Sequence, residues 1–205
     1  AIKDDLAIGG STNTTLHLPA IAKEVGIDIE LSQFDKLGRE TPHLINLRPG
    51  GPYSMWDMEK AGGVPALLKQ LKPLLNLNTI NVTGKTLGEL INGFQITDPE
   101  IIRPLNNPYH KEGGIAILKG SLAPNGAVLK QTAINRNSLI HRGPARVFNS
   151  EEEATKAITK GDIKPNEILI IRYEGIVGGP GMREMLSPTA CLVGMELDKK
   201  LSLIT

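Results

Sequence analysis

The sequence predicts an α/β protein in two parts, residues 1–98 mainly helical and residues 99–205 richer in strands. Three observations carry this. Apolar residues recur at helical spacing through much of the first hundred positions. Short apolar runs bounded by glycine replace them beyond residue 99. Ile168-Leu169-Ile170-Ile171 is an unbroken apolar run of the kind found in strands buried on both faces.

Taken in order, Leu16, Leu18, Ile21, Ala22 and Val25 predict a helix over 14–25, with Ser11, Thr12 or Asn13 able to cap it and Gly26 to end it. Pro19 is expected near its start, where a missing N–H costs least. A second helix is predicted over 32–38. A third, over 54–71, should break at Gly62-Gly63 and Pro65. A strand is expected at 79–82 and a short helix at 85–91. Residues 113–120 and 127–130 read as two strands joined through Pro124-Asn125-Gly126. Arg146-Val147-Phe148 reads as another strand. Ser150 followed by Glu151, Glu152 and Glu153 places a cap and three carboxylates at the positive end of a helix running to Lys160. Ser187-Pro188-Thr189 looks like the start of a helix carrying Cys191, and residues 201–205 are strand-like.

Composition removes several classes of function. Hydrophobic residues at 40% and charged ones at 22% fit a folded domain. The formal charge of +1 provides no broad field for nucleic acid or an anionic bilayer, and three Phe, three Tyr and one Trp are too few for base-stacking platforms. One cysteine excludes an internal disulfide and cannot by itself hold a metal cluster. With no apolar run near the roughly 18 residues of a membrane helix and no signal-peptide pattern, a cytoplasmic protein is expected. The opening Ala1-Ile2-Lys3 and the closing strand-like run read as an excised piece of a longer protein.

Two glycine-rich stretches could carry chemistry. Gly9-Gly10-Ser11-Thr12-Asn13 precedes a helix, so backbone amides and hydroxyls can converge on a carboxylate or phosphate; an ordinary helix cap is the competing reading. Residues 175–185 follow the strongest strand, where ligands of open α/β sheets bind, and place Glu184 in an expected first helical turn as an oxygen donor for a hard cation. Dipole stabilisation is its bland alternative. Glu174 reads as a solvated strand end or an ion pair with Arg172 or Arg183. Arg142 and Arg146 could grip a carboxylate or form structural salt bridges. His17, His43, His110 and His141 lack ligand spacing, and Cys191 reads as a packed thiol.

Seven stretches in order, Gly9 to Asn13, Ala61 to Pro65, Val82 to Thr86, Arg103 to Pro108, Gly113 to Pro124, His141 to Phe148 and Arg172 to Met185, resemble the dihydroxy-acid dehydratase and phosphogluconate dehydratase family. Thr41-Pro42-His43-Leu44, Leu47-Arg48-Pro49 and Gly51-Pro52-Tyr53 look closer to the dihydroxy-acid branch. The resemblance implies loss of water from a 2,3-dihydroxy carboxylate to give a 2-keto acid, as in branched-chain amino acid biosynthesis. It implies an iron-sulfur cluster and Mg²⁺ as cofactors, with Glu184 a magnesium ligand and Ser11, Gly179 and Gly181 near the substrate. The cluster cysteines, other magnesium ligands and a modified lysine are expected upstream of Ala1, and a base serine just past Thr205, leaving no catalytic residue within the chain. The implied fold is the end of a helical α/β domain over 1–98, then a β-barrel-like, swivelling β/α C-terminal domain over 99–205. A homodimer is implied for the full-length protein, and no activity for these 205 residues alone. A sugar-acid dehydratase and a non-catalytic anion-binding module are the alternatives.

Overall fold

The computed structural model describes residues 1–134, 139–176 and 183–205. The chain divides into two compact units, Ala1–Ile134 and Asn135–Thr205, each with its own core.

The first unit is built around α1 (Ile2–Ile8), which no sequence signal marked. Leu6 and Ala7 are fully buried in it, and its carbonyls leave the helix for other segments. Ala7 accepts from the amides of Leu44 and Ile45, and Leu6 from that of Gly114. Gly9 ends α1 in the left-handed conformation, φ 66°. There follow α2 (Thr14–Glu24), α3 (Leu31–Glu40), α4 (Met55–Lys60), α5 (Gly63–Gln70) and α6 (Leu87–Ile91). Pro19 lies inside α2 rather than at its start, so the helix lacks one internal N–H donor. The break expected at Gly62-Gly63 separates α4 from α5, with Gly62 at φ 119°. Ser54 and Asp57 close a reciprocal capping box at the start of α4. The core is Leu44, Ile45, Met58, Ala61, Leu67, Leu71 and Ile102 with smaller residues between.

The strand expected at 79–82 is reduced to an isolated bridge between Ile80 and Thr86. The Asn81 side chain accepts from the amide and hydroxyl of Thr83, and its carbonyl from the amide of Gly84. This local turn takes the groups a strand ladder needs. The hairpin is as expected: β1 (Ile115–Leu118) pairs antiparallel with β2 (Ala127–Lys130), Ile115 opposite Lys130.

The second unit alternates β3 (Ala145–Phe148), α7 (Glu151–Thr159), β4 (Ile168–Ile171), α8 (Leu186–Gly194) and β5 (Ser202–Ile204). Its sheet has the order β3-β4-β5, with both pairings parallel. Phe148, Leu169, Ile171 and Leu203 pack with Ala154 and Ile158 of α7 and Leu192 of α8. The other face presents Val147, Ile170 and Ile204 in register, with Val147 51% and Ile204 39% exposed. β4 is therefore buried on one face and half-buried on the other, not buried on both.

The barrel-like C-terminal fold is corrected by this topology. Among the described residues the sheets are open arrays of two and three strands. Closure requires the last strand to hydrogen-bond to the first, whereas β3 and β5 pair only with β4, and β1 and β2 only with each other. Among the described residues no helix is long and apolar enough to cross a membrane.

Candidate functional site

Among the described residues, three salt bridges converge on one guanidinium at the carboxyl edge of the parallel sheet. β3 leads through Asn149 and Ser150 into α7, where the Ser150 hydroxyl accepts from the Glu153 amide. β4 leads to Tyr173, whose φ of 69° turns the chain sharply, and then to Glu174, only 6% exposed. The Glu174 carboxylate accepts the Glu151 amide at 2.7 Å, satisfying a donor in the first turn of α7 where the helix dipole favours negative charge. Arg172 Nε donates to Asn149 Oδ1 at 2.7 Å and ties the two strand ends together.

Arg183 joins this cluster from the other side of the glycine-rich stretch. Its guanidinium lies 2.7 Å from the Glu151 carboxylate, 2.9 Å from Glu152 and 3.4 Å from Glu174. Glu152 first holds the guanidinium above its ordinary pKa; burial, the next effect, opposes it, and the charges of Glu151 and Glu174 add to the rise. The Glu152 carboxyl is held below the usual range by its own backbone amide and by Arg183. A cavity of about 390 Å³ adjoins the cluster, lined by Glu151, Glu152, Thr155, Lys156 and Arg183 among others. The ion-pair reading of Glu174 is what the structure shows, with Arg183 as partner; Glu151 is a member that sequence reasoning did not place there.

Glu184 follows Arg183 directly and is exposed. It stands two residues before α8 rather than in its first turn. Helix α8 begins at Leu186 with Pro188 inside the first turn, where proline is tolerated. Gly179 and Gly181 lie outside the described residues. Ser11 is exposed in the loop between α1 and α2, where its hydroxyl accepts from the Asn13 amide at 3.2 Å. Beneath that loop the Asp5 carboxylate accepts from the Thr14 hydroxyl at 2.9 Å, and a Cβ on Gly10 would collide with it. This loop thus serves as a helix junction whose exposed side carries Ser11.

Three histidines make internal contacts, while His17 is exposed on α2. His43 is 1% exposed, with its Nδ1 2.9 Å from that of His110; burial first and His110 second push its pKa down to about 4. His141 bridges Ser202 and Asn166. Arg146 pairs with Glu167 at 3.7 Å and donates to the Asp162 carbonyl. Cys191 is half-buried against the second core. A lone packed thiol does not fit an iron-sulfur cluster. Among the described residues no three His, Cys, Asp or Glu side chains converge on a metal position. Glu184 fits Mg²⁺ as one exposed oxygen donor, the remaining ligands having to come from other segments.

Open-sheet geometry and a charged carboxyl edge beside a glycine-rich stretch define an α/β protein. Comparison with known families identifies which one. Residues 1–90 match the dihydroxy-acid/6-phosphogluconate dehydratase N-terminal model and residues 100–205 the corresponding C-terminal model. The chain belongs to this family. It is 55% identical to the dihydroxy-acid dehydratase of Methanothrix thermoacetophila and 56% identical to that of Methanococcoides burtonii, each match covering the whole chain and 38% of the relative. The dihydroxy-acid dehydratase of Halothermothrix orenii is 51% identical over the same shares. The chain spans 38% of the length of these curated relatives.

Proposed function

We propose that these 205 residues are part of a hydro-lyase that removes water from a branched 2,3-dihydroxy carboxylate to give a 2-keto acid. The observation that carries this reading is the match along the whole chain to proteins named dihydroxy-acid dehydratase. The family models meet between residues 90 and 100, which supports a division of the parent protein near residue 98, separate from the compact units that divide at 134/135.

In this reaction the C2 proton and the C3 hydroxyl leave, and the resulting enol tautomerises to the keto acid. Mg²⁺, when bound, would neutralise charge on the substrate carboxylate. Glu184 supplies one oxygen donor for it, while Ser11, Gly179 and Gly181 contribute hydroxyl or backbone contacts to substrate. The base is a serine following Thr205, and the iron-sulfur cluster is held by cysteines of other segments. The parallel direction of β5 supports the placement of the base. Its carboxyl end opens at the same edge as Glu174 and Arg183, so a residue just beyond it would emerge near Glu184. The whole protein is proposed to be a cytoplasmic homodimer.

The test is keto-acid formation by the whole protein from a branched 2,3-dihydroxy carboxylate at graded Mg²⁺. Glu184→Gln should lower kcat/KM by about a hundredfold, or near 2.7 kcal/mol. Wild-type turnover and an unchanged Mg²⁺ requirement in that variant would remove Glu184 from the site.

A further inference from the structure

We infer that Arg183 is a positioning residue for Glu184: by gripping Glu151, Glu152 and Glu174 it fixes the backbone immediately before the proposed magnesium donor. This deepens the reading above and rests on it. Glu184 precedes α8 by two residues and lies outside the helix. The side chain just before it is anchored to the sheet and α7. Glu174 and Glu151 have side chains only 5% and 9% exposed, and Glu174 is itself locked onto the first turn of α7 by the Glu151 amide. The anchor is therefore the segment leaving β4 and the first turn of α7, with Glu151 and Glu174 buried and Glu152 exposed.

Exposed ion pairs contribute little, as here for Glu152, but removing Arg183 would leave the buried Glu151 and Glu174 carboxylates uncompensated. Three carboxylates face one guanidinium here, and the planar fork of arginine spans them where a lysine ammonium would act at one point. Groups that orient a metal ligand without touching the metal commonly change metal affinity by about tenfold or more when removed.

The experiment uses the whole protein stripped of Mg²⁺ and reads the Mg²⁺-dependent rise in melting temperature, a signal independent of turnover. Arg183→Ala should raise the half-saturating Mg²⁺ concentration about tenfold, and Arg183→Lys, which keeps the charge and loses the fork, about threefold. Glu184→Gln should abolish the response. If Glu184→Gln responds like the wild type, the ligand assignment fails. If it loses the response while Arg183→Ala or Arg183→Lys keeps a wild-type or lower midpoint, the ligand assignment stands and the positioning role is overturned. Should Arg183→Ala not fold, the Lys variant alone decides by the same criterion.

Discussion

Asp4 and His43 titrate in opposite senses within the first unit, and a single substitution separates them. Asp4 Oδ1 is buried without a hydrogen-bond partner, and burial pushes its carboxyl up to about 6 from an ordinary 3.8. His43 goes the other way, from 6.5 down to about 4. For His43 the native state holds fewer protons, so its contribution is complete above 6.5 and declines as pH falls towards 4. At about pH 5 that decline amounts to roughly 2 kcal/mol. For Asp4 the native state holds the proton more tightly, so stability is complete below 3.8 and is lost as pH rises through 6. Moving from about pH 7.5 to about pH 5 therefore returns roughly 1.4 kcal/mol through Asp4, trimmed to about 1 by screening at its exposed side. In the wild type the Asp4 gain offsets about half of the His43 loss. Asp4→Asn leaves the histidine decline unopposed. Urea denaturation at the two pH values should show Asp4→Asn losing about 1 kcal/mol more than the wild type on acidification. The same variant should be more stable near neutrality. Adding His43→Gln to that background should flatten the slope whatever it does to absolute stability. Parallel changes in the wild type and Asp4→Asn would refute the burial argument for Asp4.

Two further expectations concern packing. Gly114→Ala sets a Cβ against the Cα of Gly9, a backbone atom that cannot swing aside; the variant should lose about 2 kcal/mol in chemical denaturation, and a loss under about 0.5 would show that the junction yields. The uncovered sheet face carrying Val147, Ile170 and Ile204 should make the isolated chain self-associate, and Val147→Lys should shift it towards monomer in sedimentation velocity without changing its melting temperature. An unchanged distribution would remove that face as the cause.

Legibility in the sequence followed how local each interaction is. α4, α5 and α7 could be read because their caps and breaks lie within a few residues: Ser54 with Asp57, Gly62, and Ser150 with Glu153. β4 could be read from four apolar residues in a row, though not its one-sided burial, which depends on what covers the second face. α1 escaped because it has no side-chain cap, and the segments that take up its carbonyls come from Leu44, Ile45 and Gly114, far along the chain. The expected strand at 79–82 failed because Asn81 closes a turn onto Thr83 and Gly84. The barrel came from family resemblance rather than from strand pattern. At the candidate site, Glu174 and Arg183 were readable as a pair because both flank one glycine-rich stretch. Glu151 could not be, since only the parallel pairing of β3 with β4 brings the start of α7 to the end of β4.

That pairing also explains why the two edges of the sheet differ. At the amino edge the polar groups close on one another: His141 bridges Ser202 and Asn166, the Asn166 amide donates to the Lys200 carbonyl, and the Ile168 amide to that of Pro144. These contacts link the segments entering all three strands and satisfy backbone and side chains together, which makes this edge a structural seam. At the carboxyl edge the strands run out into a helix start, a sharp turn and the segment leading to α8, where three carboxylates share the Arg183 guanidinium. A parallel sheet presents every strand end of one kind on one side, so the carboxyl end of β5 lies at this charged edge and not at the seam. Strand direction thus brings the segments leaving β3 and β4 together at the Arg183 cluster, before any particular side chain is considered.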